Sequence, residues 1–493
     1  MKTTISIFQS NQSSREGLYP GVKDHILLWV LFLSTIAVIY LLPKVWDYIF
    51  ILGVFVLFAI SKRDSLWLAY YIILYTAPMG FFAEGSQEAI FRLPLFKLGG
   101  GLSFSTLHLL LRIGLVKAFL KRNKVDSFFS KHFQVLLVYV FFLIAIALIV
   151  HRTSMSVLLD GMKHAFGISF IYIIYKLIDV REEKYRFIFL LLPFGFLILL
   201  DATYFMVTGG EYIYNLFNPY TPRRVIYLGI DSQNVLNIRF QFIGFYLSYL
   251  IFIFSMSFWF ICRNKVYLLT SALAAFVIVI AGALRSWFVI YAGALLLFIY
   301  YNYNSGILKR SIVIAAVTLL LILPIIRTPV GSAAFSGAFQ RISTVFTLGE
   351  ESSLASQQIE AKIDKRLPSQ LQYIKDNPLT GWAFTEKRGD PDVGNFGLLV
   401  DAGIIGFLIF AWFWISYLSV ISKHIAWSYT RSARNALRML IVLFLGILLS
   451  HFTTNMVFIY YGGIFVGTFV FISEFIISEA QIFDEQTYRS EFE

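Results

Sequence analysis

Arg285 is the residue whose position most demands a chemical explanation. It interrupts an apolar stretch of about 37 residues, Val266 to Asn302. One helix of that length would run about 55 Å, against a hydrocarbon core of about 30 Å. The chain must therefore turn, and Gly282, Arg285 and Ser286 mark the turn. A guanidinium at the mouth of two membrane helices is either an interfacial side chain reaching for headgroups or a clamp for an anion. Arg223, Arg224 and Arg239 surround one polar interruption, and Arg327 and Arg341 open another. Arg239 and Arg341 stand beside membrane-facing segments. The planar guanidinium fork donates paired hydrogen bonds to phosphates, so a diphosphate is the ligand such a set would serve. Taken singly, each is equally a surface charge. His451, with Asn455 one turn on, stands near the end of an apolar segment. It is either hydrogen-bonded in place or a proton acceptor or substrate ligand. Arg112, one turn after His108, reads as a snorkelling side chain with Lys117 and Lys121 beyond it.

The elements that must position these residues follow from composition. The chain has 493 residues, 58% hydrophobic and 14% charged, where a soluble domain carries roughly 25% charged residues. The pattern predicts an all-α polytopic membrane protein with about 12–14 spans, near residues 25–42, 47–60, 65–82, 100–120, 133–150, 161–178, 187–207, 239–261, 266–284, 286–302, 311–327, 397–421, 437–454 and 457–478. Counting from a cytoplasmic N-terminus puts six basic connections on one side. They hold Lys62 and Arg63; Lys121, Arg122, Lys124 and Lys131; Arg181, Lys184 and Arg186; Arg263 and Lys265; Lys309 and Arg310; and Lys423, Arg431, Arg434 and Arg438. That bias fixes orientation. It also accounts for the net charge of +12 without nucleic acid.

The expected organisation is a polar cytoplasmic segment over 1–24, a bundle over 25–327 with an outer loop at about 208–238, a large outer loop over 328–396, further spans over 397–478 and an acidic, solvated cytoplasmic tail over 479–493. The N-terminal segment lacks the apolar core and small-residue cleavage site of a removable signal. In the large loop, Ile359, Ile363, Leu367 and Leu371 recur at four-residue spacing, which predicts two short helices with Pro368 at the break. The lone cysteine, Cys262, forms no internal disulfide and no thiolate metal cluster. A phosphate loop, H-E-x-x-H and Cys/His ligand spacing are all missing. Gly99, Gly100 and Gly101 read as a loop. No metal and no cofactor are expected.

The second loop carries Asn377-Pro378-Leu379-Thr380-Gly381-Trp382, then Gly394-Asn395-Phe396-Gly397, then Asp401-Ala402-Gly403-Ile404-Ile405-Gly406. About 35 residues of order and spacing resemble the O-antigen polymerase and O-antigen ligase superfamily, and Arg285-Ser286 occupies the place of its serine/arginine motif. The resemblance implies a GT-C-like membrane glycosyltransferase of the bacterial inner membrane, acting on a polyprenyl-diphosphate-linked oligosaccharide at the outer face. A chain-length regulator is a partner consistent with it. Where the ligase branch has histidine before asparagine, this chain has Gly394, which favours a polymerase. Asp390, Asp392 or His451 then becomes the proton acceptor, with Asp392 and His451 preferred. Arg285 and Arg341 face the diphosphate, and Asn395 orients the loop or a sugar hydroxyl. Tyr212, Tyr214, Phe217, Tyr220 and Trp382 are either sugar-stacking or interfacial aromatics. The ligase, and a lipid-linked oligosaccharide flippase or other transporter, are the alternatives. Of the motif glycines, Gly381 allows a tight turn, while Gly403 and Gly406 read as helix-packing positions.

Overall fold

The computed structural model describes residues 19–76, 93, 95–98, 102–121, 127–208, 225–227, 238–240, 245–282, 366–387, 389, 394–453 and 460–492, with isolated positions between 293 and 336. Helices dominate: α1 (Val22–Leu41), α2 (Lys44–Ile60), α3 (Asp64–Thr76), α4 (Thr106–Leu120), α5 (Ser130–Ile149), α6 (Met155–Ala165), α7 (Ser169–Leu177), α8 (Arg181–Thr208), α9 (Phe245–Cys262), α10 (Lys265–Gly282), α11 (Leu367–Asp376), α12 (Asn395–Trp427), α13 (Arg431–Thr453) and α14 (Tyr460–Phe492). Among the described residues, α1, α5, α12 and α14 contain stretches long and apolar enough to cross a membrane, and α3, α9 and α10 contain shorter apolar stretches. The chain is a helical membrane protein.

The bundle is organised around α14. Of its apolar window 94% is buried, against 17% for α1, so α14 is a central post and α1 a peripheral helix. Ile464, Phe465, Phe469, Val470, Ile476 and Ile477 are each no more than 1% exposed. Helices α7, α9 and α13 pack on this post, α12 packs on α13, and α3 packs on α8.

Several elements differ from the sequence reading. The expected span near 100–120 starts later, because Leu102–Ser105 is a strand paired with Leu95–Leu98; Val225–Tyr227 and Ile238–Phe240 form a second short antiparallel pair. The fold is thus helical with two hairpins, a local way for connections to pair their backbone groups. Ser105 then caps α4, its hydroxyl accepting the His108 N–H at 3.2 Å. The expected span near 161–178 is broken into α6, a 3-10 turn at Phe166–Ile168 and α7. There the post comes so close that a Cβ on Gly463 would lie 2.5 Å from the Ile168 nitrogen. Of the two short helices expected around Pro368, the first, with Ile359 and Ile363, lies outside the described residues, and the second is α11. Pro368 sits in the first turn of α11, where its missing N–H costs nothing. Residues 479–492 continue α14 to Phe492: Glu479, Ala480 and Phe483 are buried, and the exposed end expected from residue 479 is found at residues 488–490.

One end of the bundle is tied by charge. Lys117 pairs with Asp64 at 2.6 Å, and Lys121 reaches both Asp64 at 3.8 Å and Asp179 at 3.6 Å. Arg63 pairs with Asp24 at 3.6 Å. Arg181 donates Nε to Glu479 Oε1 at 2.8 Å and Nη2 to Oε2 at 3.1 Å, and the Tyr185 hydroxyl also donates to Glu479. Ser127 donates to Glu474 at 2.7 Å, and Asp484 accepts the backbone N–H groups of Tyr429 and Thr430. Arg263 donates to Ser432 Oγ at 3.2 Å, so five of the six connections that parity places together are drawn into this end. The sixth, holding Lys309 and Arg310, lies outside the described residues. The 20 residues of α5 carry the chain about 30 Å from Ser127 to the opposite end.

Candidate functional site

At that opposite end the motif residues meet. Helix α11 stops at Asp376, with Asn377 as its C-cap, because Pro378 disfavours helical geometry in the residue before it. The next residues run beside a break in α12 at Gly403, whose φ is 63° and ψ −172°. A break strands backbone carbonyls on one side and N–H groups on the other, and in a membrane each unsatisfied group costs several kcal/mol. The incoming segment supplies partners for both. Trp382 N–H donates to Val400 O at 2.6 Å and Ala383 N–H to Asp401 O at 2.8 Å. Ile404 N–H donates to Pro378 O at 2.9 Å and Ile405 N–H to Leu379 O at 3.2 Å. The Tyr139 hydroxyl, from α5, donates to Ala402 O. The segment and the break complete each other, and the pair acts as a latch.

Two glycines make the approach possible. Gly381 has φ 71°, and a Cβ there would lie 2.5 Å from Val400 O. A Cβ on Gly403 would lie 2.2 Å from Leu379 O. Gly403 therefore serves the break, not helix packing, whereas Gly406 does meet a neighbour, Tyr139.

The Asn377 side chain is used completely. Its amide nitrogen donates to Gly381 O and lies 3.4 Å from His151 Nε2, and its oxygen accepts from Thr380 Oγ1 at 3.1 Å. A flipped amide would set its oxygen against Gly381 O, so the network fixes the orientation. An Nε2 accepting from the Asn377 nitrogen corresponds to the neutral imidazole protonated at Nδ1. Burial first, and Lys387 second, hold the His151 pKa below its ordinary value. The Trp382 indole N–H donates to Tyr373 O at 2.8 Å. The Trp382 ring meets the His151 ring at 4.7 Å and carries the Lys387 ammonium 4.3 Å from its centroid. Lys387 also pairs with Asp376 at 3.8 Å. Trp382 is thus occupied by the protein's own groups. Asp401, 8% exposed, accepts the Gly389 N–H at 2.7 Å.

His151, Lys387 and Asp376 together form a rim of one imidazole, one ammonium and one carboxylate beside a broken membrane helix. Such a rim can hold an anion and exchange a proton with a hydroxyl.

Sequence reasoning placed Asn395 here, and it is the half-buried first residue of α12. Arg327 is exposed in a turn. Arg239 lies on the second hairpin, in register with Ile226. His451 falls in the last turn of α13, and its side chain lies outside the described residues, as do Arg285, Arg341, Arg223, Arg224, Asp390 and Asp392. His151 and Lys387 were missed. A signal for the first existed: His151-Arg152 is a basic pair in a connection that parity assigns to the side opposite the other basic clusters. No family model and no curated protein matches this chain.

Proposed function

We propose that this chain is a multi-pass glycosyltransferase that polymerises lipid-linked oligosaccharide units. It would have about fourteen spans in a GT-C-like arrangement in a bacterial inner membrane, with both termini in the cytoplasm and the latched end outside. The growing chain passes from polyprenyl diphosphate to the acceptor sugar of a new unit. The acceptor hydroxyl oxygen forms a bond to the anomeric carbon as the bond from that carbon to the diphosphate oxygen breaks. The diphosphate leaves with the electron pair, and the hydroxyl proton passes to a base. Because the leaving group is already a diphosphate, neither nucleotide nor metal enters the step.

The observation that carries this reading is the latch. The residues that resemble the polymerase and ligase superfamily are spread over Asn377–Gly406, and they converge on the break in α12. Lys387 is suited to an anionic leaving group, and His151, whose pKa burial and Lys387 lower, to a hydroxyl proton. Arg285 and Arg341 remain the proposed diphosphate clamp, and Asp392 and His451 the other proposed proton acceptors.

The test is the lipid-linked glycan that accumulates without the protein. A polymerase leaves single units on the carrier, and a ligase leaves long polymer on the carrier. Within the polymerase reading, Arg285→Ala shortens the polymer on a gel, and normal chains from a stably expressed variant remove the clamp role. Two interrupted helices, α6–α7 and α12, favour a flippase as second reading, since transporters bind at broken helices. A flippase would leave single units too, but enclosed on the cytoplasmic side.

A further inference from the structure

At the charge-tied end, one cation is held at a cost that its protein neighbours do not offset. Arg263 follows α9 with φ 53° and closes that helix, its N–H donating to Trp259 O at 2.8 Å. This is the left-handed capping position that glycine usually fills, and a residue with a Cβ is strained there. The guanidinium is half-buried over the Trp259 ring at 4.5 Å and the Phe260 ring at 5.6 Å. Its hydrogen bond goes to a neutral group, Ser432 Oγ, at 3.2 Å. The charged neighbour acting on it from α13 is another arginine, Arg431, and burial with Arg431 lowers its pKa. The nearby carboxylate, Asp484, caps the Tyr429 and Thr430 N–H groups. Strain, desolvation and like-charge repulsion thus converge on one side chain, and a bound anion would relieve the last two.

We infer that Arg263, Ser432 and Arg431 form a binding site for the phosphate of an anionic phospholipid from the adjacent leaflet. A phosphodiester accepts paired hydrogen bonds from guanidinium forks. The lipid source follows from the exposed Val266 and Leu269 at the start of α10, just after Arg263, which offer apolar surface to acyl chains. The site is independent of the proposed catalytic end.

The test uses the full chain purified in neutral detergent, with its thermal midpoint followed on adding phosphatidylglycerol, phosphatidylcholine or inorganic phosphate. Phosphatidylglycerol raises the midpoint by several degrees, and the other two leave it within error. Arg263→Gly separates fold from ligand. It relieves the left-handed strain, so the lipid-free midpoint holds or rises, while the phosphatidylglycerol shift falls by more than half. Arg431→Gln reduces the shift further in the double variant. An equal shift in the Arg263→Gly protein overturns the proposal. So does an equal response to phosphatidylcholine, and so does a full response to inorganic phosphate, which would assign the site to a free anion.

Discussion

The two ends of the bundle are held by opposite means. At one, side-chain charge does the tying: Asp24, Asp64, Glu479 and Asp484 each receive basic or N–H groups from other connections. At the other, backbone groups do it, with the 378–383 segment completing the hydrogen bonds of a broken helix. Backbone pairing leaves side chains available. At the latched end His151, Lys387 and Asp376 stand around a rim, whereas at the tied end most charged groups are consumed in pairs that hold connections together, Arg263 excepted. An end built from backbone therefore suits chemistry, and an end built from ion pairs suits anchoring.

The contrast breaks first at Gly403. Gly403→Ala forces a Cβ against Leu379 O and a left-handed residue into the chain, at a cost of about 3 kcal/mol. Thermal unfolding should show that loss, and limited proteolysis should cut within residues 377–387 first. At the tied end, Glu479→Ala strands Arg181 and the Tyr185 hydroxyl. The partial exposure of Arg181 reduces the usual penalty for breaking a buried pair to about 2 kcal/mol. Added salt should weaken the wild-type tied end and leave the latch unchanged, readable by hydrogen exchange at residues 179–186 against 380–385.

A smaller effect is expected from Trp382→Phe, which removes the donor to Tyr373 O and costs about 1 kcal/mol. The smallest concerns pH. His151 has a lowered pKa in the folded protein, so folding favours its neutral form. Its contribution is fully present above the ordinary imidazole pKa and is lost as pH falls through and below it. Lys387→Met removes one cause of the lowering and should narrow the acid-side loss of thermal midpoint. An unchanged pH profile in both Lys387→Met and His151→Asn would remove His151 from the rim.

Much of the bundle was legible in the sequence because apolar runs and turn residues act locally. The tight turn at Gly381 was read from the residue type alone, and Pro378 ends α11 at Asn377 by an equally local effect. The break at Gly403 was not, since Asp401-Ala402-Gly403-Ile404-Ile405-Gly406 looks like continuous membrane helix. It opens only because backbone groups of residues 378–383 arrive to satisfy it. The buried end of α14 was hidden for the same reason. Glu479 and Asp484 look solvated until Arg181 and Thr430, distant in sequence, are brought to them. The rim pairs His151 with Lys387 across more than two hundred residues, and no local pattern joins them.

The central claim is that the latched end and the tied end face opposite sides of the membrane, with the latch outside. Replacing Cys262, the lone cysteine, with serine allows single cysteines to be placed at two exposed positions, Lys387→Cys and Glu182→Cys. A membrane-impermeant maleimide applied to intact cells should label the first and reach the second only after permeabilisation. Labelling of Glu182→Cys from outside, or of both positions from one side, would contradict the account.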